Sequence, residues 1–224
     1  MAERRRGVRC ARVPHSREAV LRAARAVVAA EGINGLSMVA VADEAGMAVG
    51  SIYRWYASRT ELVAEVLRTT CDHELDVLRA IAAGEGPAAE RLHDAVTVFA
   101  GRALSAGRIA YAMICEPTVA EAELLRRRIR DEMAGILAGI VRAGVQDGSF
   151  GDQDPALTGT ALVGAVSEIL AGPLGSGSRT RRSALVEAVG ALALRSAGAT
   201  SSGPSSSAAP RSKTSTTTPT VVTR

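Results

Sequence analysis

Aromatic side chains are nearly missing from this chain: six rings serve 224 residues. Whatever core it builds must therefore come chiefly from Ala, Val and Leu, within a hydrophobic content of 47%. Small aliphatic residues fill the seams between closely packed helices, and strand formers such as Thr, Tyr, Phe and Ile are sparse outside the C-terminal tail. The length suffices for one compact domain or two small ones. The expectation is an all-α protein.

Hydrophobic periodicity places the helices. After a basic arm expected to be disordered over 1–15, Ser16 offers an N-cap, and Val20, Leu21, Ala24, Val27 and Val28 recur on one helical face until Gly32. Leu36-Ser37 then sets a hydrophobic residue before an N-cap, opening a second short helix with Val41 and Ala45 inward and Gly46 as its stop. A third is expected from Ala48 to Tyr56. Ser58-Arg59-Thr60-Glu61 reads as a capping box that starts a long helix ending near Ala82–Gly84. Beyond the Gly84-Glu85-Gly86-Pro87 turn, helices are expected at about 88–105, 107–114, 118–144, 154–171 and 180–197, with Pro173 as a break. Residues 198–224 are mostly Ser, Thr, Pro, Gly and Ala without an acid, the composition of a disordered tail.

Several function classes lose support at once. Cys10, Cys71 and Cys115 are widely spaced and odd in number, which fits a reducing compartment rather than a disulfide framework. They share no metal-ligand spacing with His15, His73 or His93, so no metal is expected. No Ser/His/Asp or Cys/His signature suggests an enzyme, and no cofactor motif is present; the 172–179 stretch lacks the strand and Lys of a phosphate loop. Arg126, Arg127, Arg128 and Arg130 alternate with acids at i,i+4 and read as a solvated face. The MAERRR start has no apolar region behind it, and no 18 residues are both apolar and free of charge, so a cytoplasmic protein without membrane contact is expected. A net charge of +4 permits an anionic partner.

The third short helix is the informative one. Three of the six rings fall within Tyr53-Arg54-Trp55-Tyr56. Ile52 and Tyr56 share one helical face and are assigned to the core, leaving Tyr53, Arg54 and Trp55 with polar tips outward. Ala48, Gly50 and Ser51 let a backbone approach closely.

Residues 17–63 resemble the DNA-binding domain of the TetR family of transcriptional regulators. The resemblance is carried by Ala23-Ala24, Gly32…Gly35-Leu36-Ser37, Val41-Ala42…Ala45-Gly46-Met47, Gly50 through Tyr56, and Ser58-Arg59-Thr60-Glu61-Leu62. It implies a three-helix helix-turn-helix domain at 16–62, with the motif itself at about 37–56, followed by a helical ligand-binding and dimerisation domain at 63–197. Ser37 and Arg59 are then expected to bind phosphates, and Tyr53 and Trp55 to press on the sugar-phosphate backbone. Val49, Gly50, Ser51 and Arg54 would meet the major groove. Two departures stand out: Ala48 replaces a hydroxyl N-cap, and Val49 stands where a polar residue is common.

The resemblance further implies a homodimer through 154–171 and 180–197, helices whose apolar character exceeds one chain's need. Such a dimer would read a palindromic double-stranded operator. Phe99, Tyr111, Ile114, Met133 and Leu137 would enclose a pocket for a small apolar effector that releases a repressor from DNA. The alternatives are a constitutive DNA binder with a filled core, and a helical protein-interaction module.

Overall fold

The computed structural model describes residues 16–176 and 182–199, and within them every regular element is a helix, with one isolated antiparallel bridge between Phe150 and Ala199. The basic arm and residues 200–224 of the tail lie outside the described residues. Three helices build the N-terminal unit: α1 (Arg17–Glu31), α2 (Met38–Ala45) and α3 (Val49–Tyr53). Six more follow: α4 (Arg59–Ala83), α5 (Ala88–Ala106), α6 (Arg108–Ile114), α7 (Ala120–Gln146), α8 (Pro155–Ser176) and α9 (Arg182–Ser196).

The expected caps are in place. The hydroxyls of Ser16, Ser37 and Ser58 accept the amides of Ala19, Ala40 and Glu61 at 3.0–3.1 Å, each satisfying a helix-start donor that would otherwise lack a partner. The Glu61 carboxylate reaches back to the Ala57 amide at 2.7 Å. Gly46 ends α2 with φ 64°, a left-handed position suited to glycine.

Two boundaries differ from the sequence expectation. The third helix stops at Tyr53, with Arg54 as its C-cap, rather than running to Tyr56. The chain must turn there because Tyr56 is fully buried, under the Arg17 guanidinium 5.3 Å above its ring, and Ser58 is already extended as the next N-cap. At the other end, α8 does not break at Pro173 but runs through it to Ser176. The residue before the proline is Gly172, which has no Cβ to clash with the ring, and buried Leu170 and Leu174 hold the last turns down.

Two apolar clusters organise the molecule. The larger joins α5, α7, α8 and α9 through Leu92, Val96, Ile140, Val141, Leu170 and Val189. The N-terminal cluster has Val20, Val28, Leu36, Val41, Ile52 and Tyr56 at its heart. It is not confined to the first three helices: Leu62, Val63, Val66 and Leu67 of α4, Ala112 and Met113 of α6 and Ala122 of α7 belong to it. The helix-turn-helix unit thus sits directly on the α6–α7 region. α8 is the single described helix long and apolar enough to cross a membrane; it packs on α7, where Gly159 lets the Ala134 carbonyl approach to 2.4 Å of where a Cβ would stand.

Candidate nucleic-acid interface and effector cavity

The helix-turn-helix presents one face to solvent. Tyr53 is 52% exposed and Trp55 43%, while Ile52 and Tyr56 on the opposite side are fully buried. Ser37, Gly50 and Arg54 are exposed, and Val49, Ser51 and Arg59 half-buried. No other ring is among the exposed large hydrophobics of the described residues, so Tyr53 and Trp55, two residues apart, mark this segment as a candidate contact surface. Val39, on the first turn of α2, is 57% exposed as well. Sequence reasoning passed over it, although the inward register of Met38, Val41 and Ala42 leaves position 39 pointing out.

Two of the expected readers hold each other: an Arg54 terminal nitrogen donates to the Ser51 hydroxyl at 3.0 Å. Ser37 spends its oxygen as an acceptor for Ala40, and its own hydroxyl hydrogen stays available to an acceptor outside. Arg59 is placed differently from a simple phosphate anchor. Its Nε donates to the Leu36 carbonyl at 2.6 Å and Nη2 to the Ile33 carbonyl at 2.7 Å, tying the start of α4 to the α1–α2 turn.

That turn has a second brace. The Glu116 carboxylate, in the α6–α7 connection, accepts the Ile33 amide at 3.1 Å and the Asn34 amide at 3.2 Å. Gly32 makes the approach possible: its φ is +81°, and a Cβ there would stand 2.5 Å from a Glu116 oxygen. No local pattern could have found Glu116, since its partners lie 82 and 83 residues earlier.

Between α4, α5, α6 and α7 lies a cavity of about 100 Å³. Phe99, Ile114 and Met133 line it, together with Leu67, Met113 and Ile129. Leu137 faces a neighbouring void of about 20 Å³ shared with Phe99 and Met133. Tyr111 stands apart, half-buried in the core with its ring edge against Gly175.

The wall is not purely apolar. Glu74 and Arg102 line it and form a side-on fork, both bonds at 2.8 Å. Arg126 and Arg130 line it as well. Arg126 corrects the reading of residues 126–130 as a solvated face: it is only 6% exposed, and both it and Arg130 pair with Glu123, at 2.8 and 2.9 Å. Glu168, the lone acid of α8, is exposed. Cys71, also on the wall, has its thiol pushed up to about 11 by burial, reinforced by Asp72 and Glu74.

Comparison with known proteins places the family and the fold. The family model for bacterial regulatory proteins of the tetR family matches residues 20–66, and that for the tetracyclin repressor-like C-terminal domain matches 88–174. No curated protein sequence matches the chain. Among solved structures, the fatty acid degradation regulator FadR from Bacillus halodurans superposes with a TM-score of 0.70 at 18% identity, covering 80% of this chain and 98% of that one. The transcriptional regulator FadR from Bacillus subtilis in complex with stearoyl-CoA gives 0.71 at 17%, covering 81% and 99%. NemR from E. coli, in its reduced form, gives 0.65 at 14%, covering 77% and 94%.

Proposed function

Since the chain belongs to the TetR family and is a DNA-binding transcriptional regulator, we propose that it is a homodimeric repressor released from a palindromic operator by a small, largely apolar effector. The observation that carries the reading is the cavity between α4 and α7, walled by Phe99, Met113, Ile114 and Met133. Empty space between packed helices forfeits packing contacts, so a cavity kept there favours a ligand over a constitutive binder. The Bacillus subtilis FadR structure, with its stearoyl-CoA, supports an effector bearing an aliphatic chain.

Dimerisation is supported by the outer faces of α8 and α9. Each helix buries one side, α8 on α7 and α9 on α5, and the outer side is mainly small or apolar: Leu157, Ala161 and Gly164 beside Glu168 on one, Ala184 and Ala188 beside Glu187 on the other. Such faces let helices of a second copy approach closely. Two recognition helices related by a two-fold axis would enter successive major grooves roughly 34 Å apart.

α4 links the two functions. It begins at Ser58 beside the reading face and runs past the cavity, contributing Leu67 and Cys71 to its wall. An effector that favours a displaced α4 over the DNA-bound position shifts the spacing of the reading heads, and the duplex tolerates only one spacing. The test is binding of the full chain to duplexes selected from a random-sequence pool, with sedimentation of the protein alone. A palindromic consensus, a dimer and a clearly negative slope of log affinity against log salt are expected. A monomer, or affinity that ignores salt, overturns the reading.

A further inference from the structure

Arg126 is the one buried charged side chain among the described residues. Its Nη1 meets Glu123 at 2.8 Å, and its Nη2 donates to the carbonyls of Ala112 at 3.2 Å and Glu116 at 2.9 Å. Its Nε, equally buried, has no hydrogen-bond partner. A buried donor left without an acceptor is destabilising, so it marks a place where an acceptor belongs.

The charge balance points the same way. Arg126 and Arg130 share the single carboxylate of Glu123, whereas Arg102 has Glu74 to itself. The Arg126 end of the cavity therefore carries an excess of positive charge, and the remaining wall is aliphatic and aromatic. A guanidinium grips a carboxylate side-on through Nε and Nη2, as Arg102 grips Glu74 across the same cavity. On Arg126 that edge is half-occupied: Nε is vacant and Nη2 is held by two backbone carbonyls.

We propose that the Nε–Nη2 edge of Arg126 binds the carboxylate of an effector with an aliphatic tail, and that binding works the DNA-reading unit through Glu116. A side-on carboxylate must displace one of the two carbonyls, Ala112 in the last turn of α6 or Glu116 in the α6–α7 connection, and the step to the DNA-reading unit follows when it is Glu116 that gives way. The Glu116 backbone is what positions the Glu116 carboxylate, and that carboxylate holds the Ile33 and Asn34 amides just ahead of the Ser37 cap. Loosening the junction therefore loosens the turn that orients α2 and α3. This proposal rests on the reading of the chain as an effector-released DNA binder, and it adds the ligand's head group and its route to the DNA.

The experiment compares decanoate with decan-1-ol, which shares the tail without the charge, by calorimetry and by anisotropy of a selected duplex with the full chain. Decanoate is expected to bind at least about tenfold more tightly than the alcohol and to lower operator affinity by about tenfold, in the ordinary range of allosteric coupling. Arg126→Gln should lose decanoate binding. Arg126→Lys, which keeps charge and fold better but has no fork, should lose most of it. Glu116→Gln should bind operator weakly without any ligand and respond little to decanoate, since the brace is already slack. Equal action of the alcohol and the acid, or unchanged decanoate response in Arg126→Lys or Glu116→Gln, overturns the proposal while leaving regulator function intact. Failure of the unmodified chain to bind any selected duplex refutes the broader reading, and this proposal with it.

Discussion

Arg59 donates its Nε hydrogen to the Leu36 carbonyl at 2.6 Å, so the residue that opens α4 also fixes the backbone immediately before the recognition unit. Leu36 is 1% exposed, and its carbonyl lies one residue before the Ser37 N-cap. The basic residue expected to serve DNA phosphates is thus a structural tie in the free protein.

Replacing Arg59 accordingly has an effect without DNA. Arg59→Ala removes two charge-assisted hydrogen bonds to half-buried carbonyls and is expected to destabilise the chain by about 1–3 kcal/mol. Arg59→Lys should recover only part of that, because one ammonium cannot span both carbonyls in the fork geometry. Urea unfolding of the two variants measures it. A purely DNA-facing residue would leave the unfolding midpoint unmoved.

The exposed face should divide into anchors and readers. Tyr53→Ala is expected to weaken every sequence to a similar degree, since sugar-phosphate contacts carry no base information. Arg54→Ala should instead relax preference at a base position by about 1–3 kcal/mol, and it frees the Ser51 hydroxyl that Arg54 now occupies. Selection of duplexes with each variant separates the two roles. A shifted consensus with Tyr53→Ala, or an unshifted one with Arg54→Ala, would reverse the assignment.

What was legible in the sequence was what is encoded locally. Ser16, Ser37 and Ser58 announce their helices because a cap and the amide it satisfies lie three residues apart. Ile52 and Tyr56 declare themselves core by sharing a face, and Phe99, Ile114 and Met133 reach the cavity wall as apolar residues of the middle helices. Glu116, Arg126 and Arg59 were opaque for the opposite reason. Their partners are backbone groups from distant segments, and a backbone carbonyl or amide looks the same beneath any side chain. Arg126 was misplaced because four clustered arginines with acids at i,i+4 form the usual pattern of a wet helix face. Only α6 folding over one of them buries it. Pro173 misled in a similar way, its effect on α8 depending on the glycine before it.

Acid should loosen the join between α1 and α4. Glu65 bridges Arg68 on its own helix and Arg17 on α1, at 2.8 and 2.9 Å, and its carboxyl is lowered below the ordinary value, first by the Arg68 hydrogen bond. A carboxyl whose folded pKa is depressed stabilises the fold above its unfolded pKa, and that contribution disappears as pH falls through the lower folded value. The pH dependence of stability should therefore include a step below about pH 4.5, and Glu65→Gln should shrink it. Chemical denaturation at a series of pH values from neutral downward is the measurement, and an unaltered acid limb in Glu65→Gln would show that the bridge contributes nothing.

Cys71 should be chemically quiet despite lining the cavity. The thiolate is the reactive form, and burial together with Asp72 and Glu74 raises the thiol to about 11, with Arg126 opposing only weakly. Near pH 8 the group lies some three pH units below that value, so about one thiol in a thousand is ionised. Iodoacetamide at that pH should label Cys71 far more slowly in the folded chain than in urea, as read by the mass of the peptide that carries it. Brief hydrogen peroxide should likewise leave Cys71 unoxidised, as read on the same peptide. Alkali supplies the complementary test. The folded state holds the Cys71 proton from the ordinary thiol value of 9.0 up to about 11, so stability should fall as pH rises through that window, and Cys71→Ser should flatten the fall. Rapid native labelling of Cys71, or peroxide release of the operator that Cys71→Ser abolishes, would show that the buried thiol is a sensor after all.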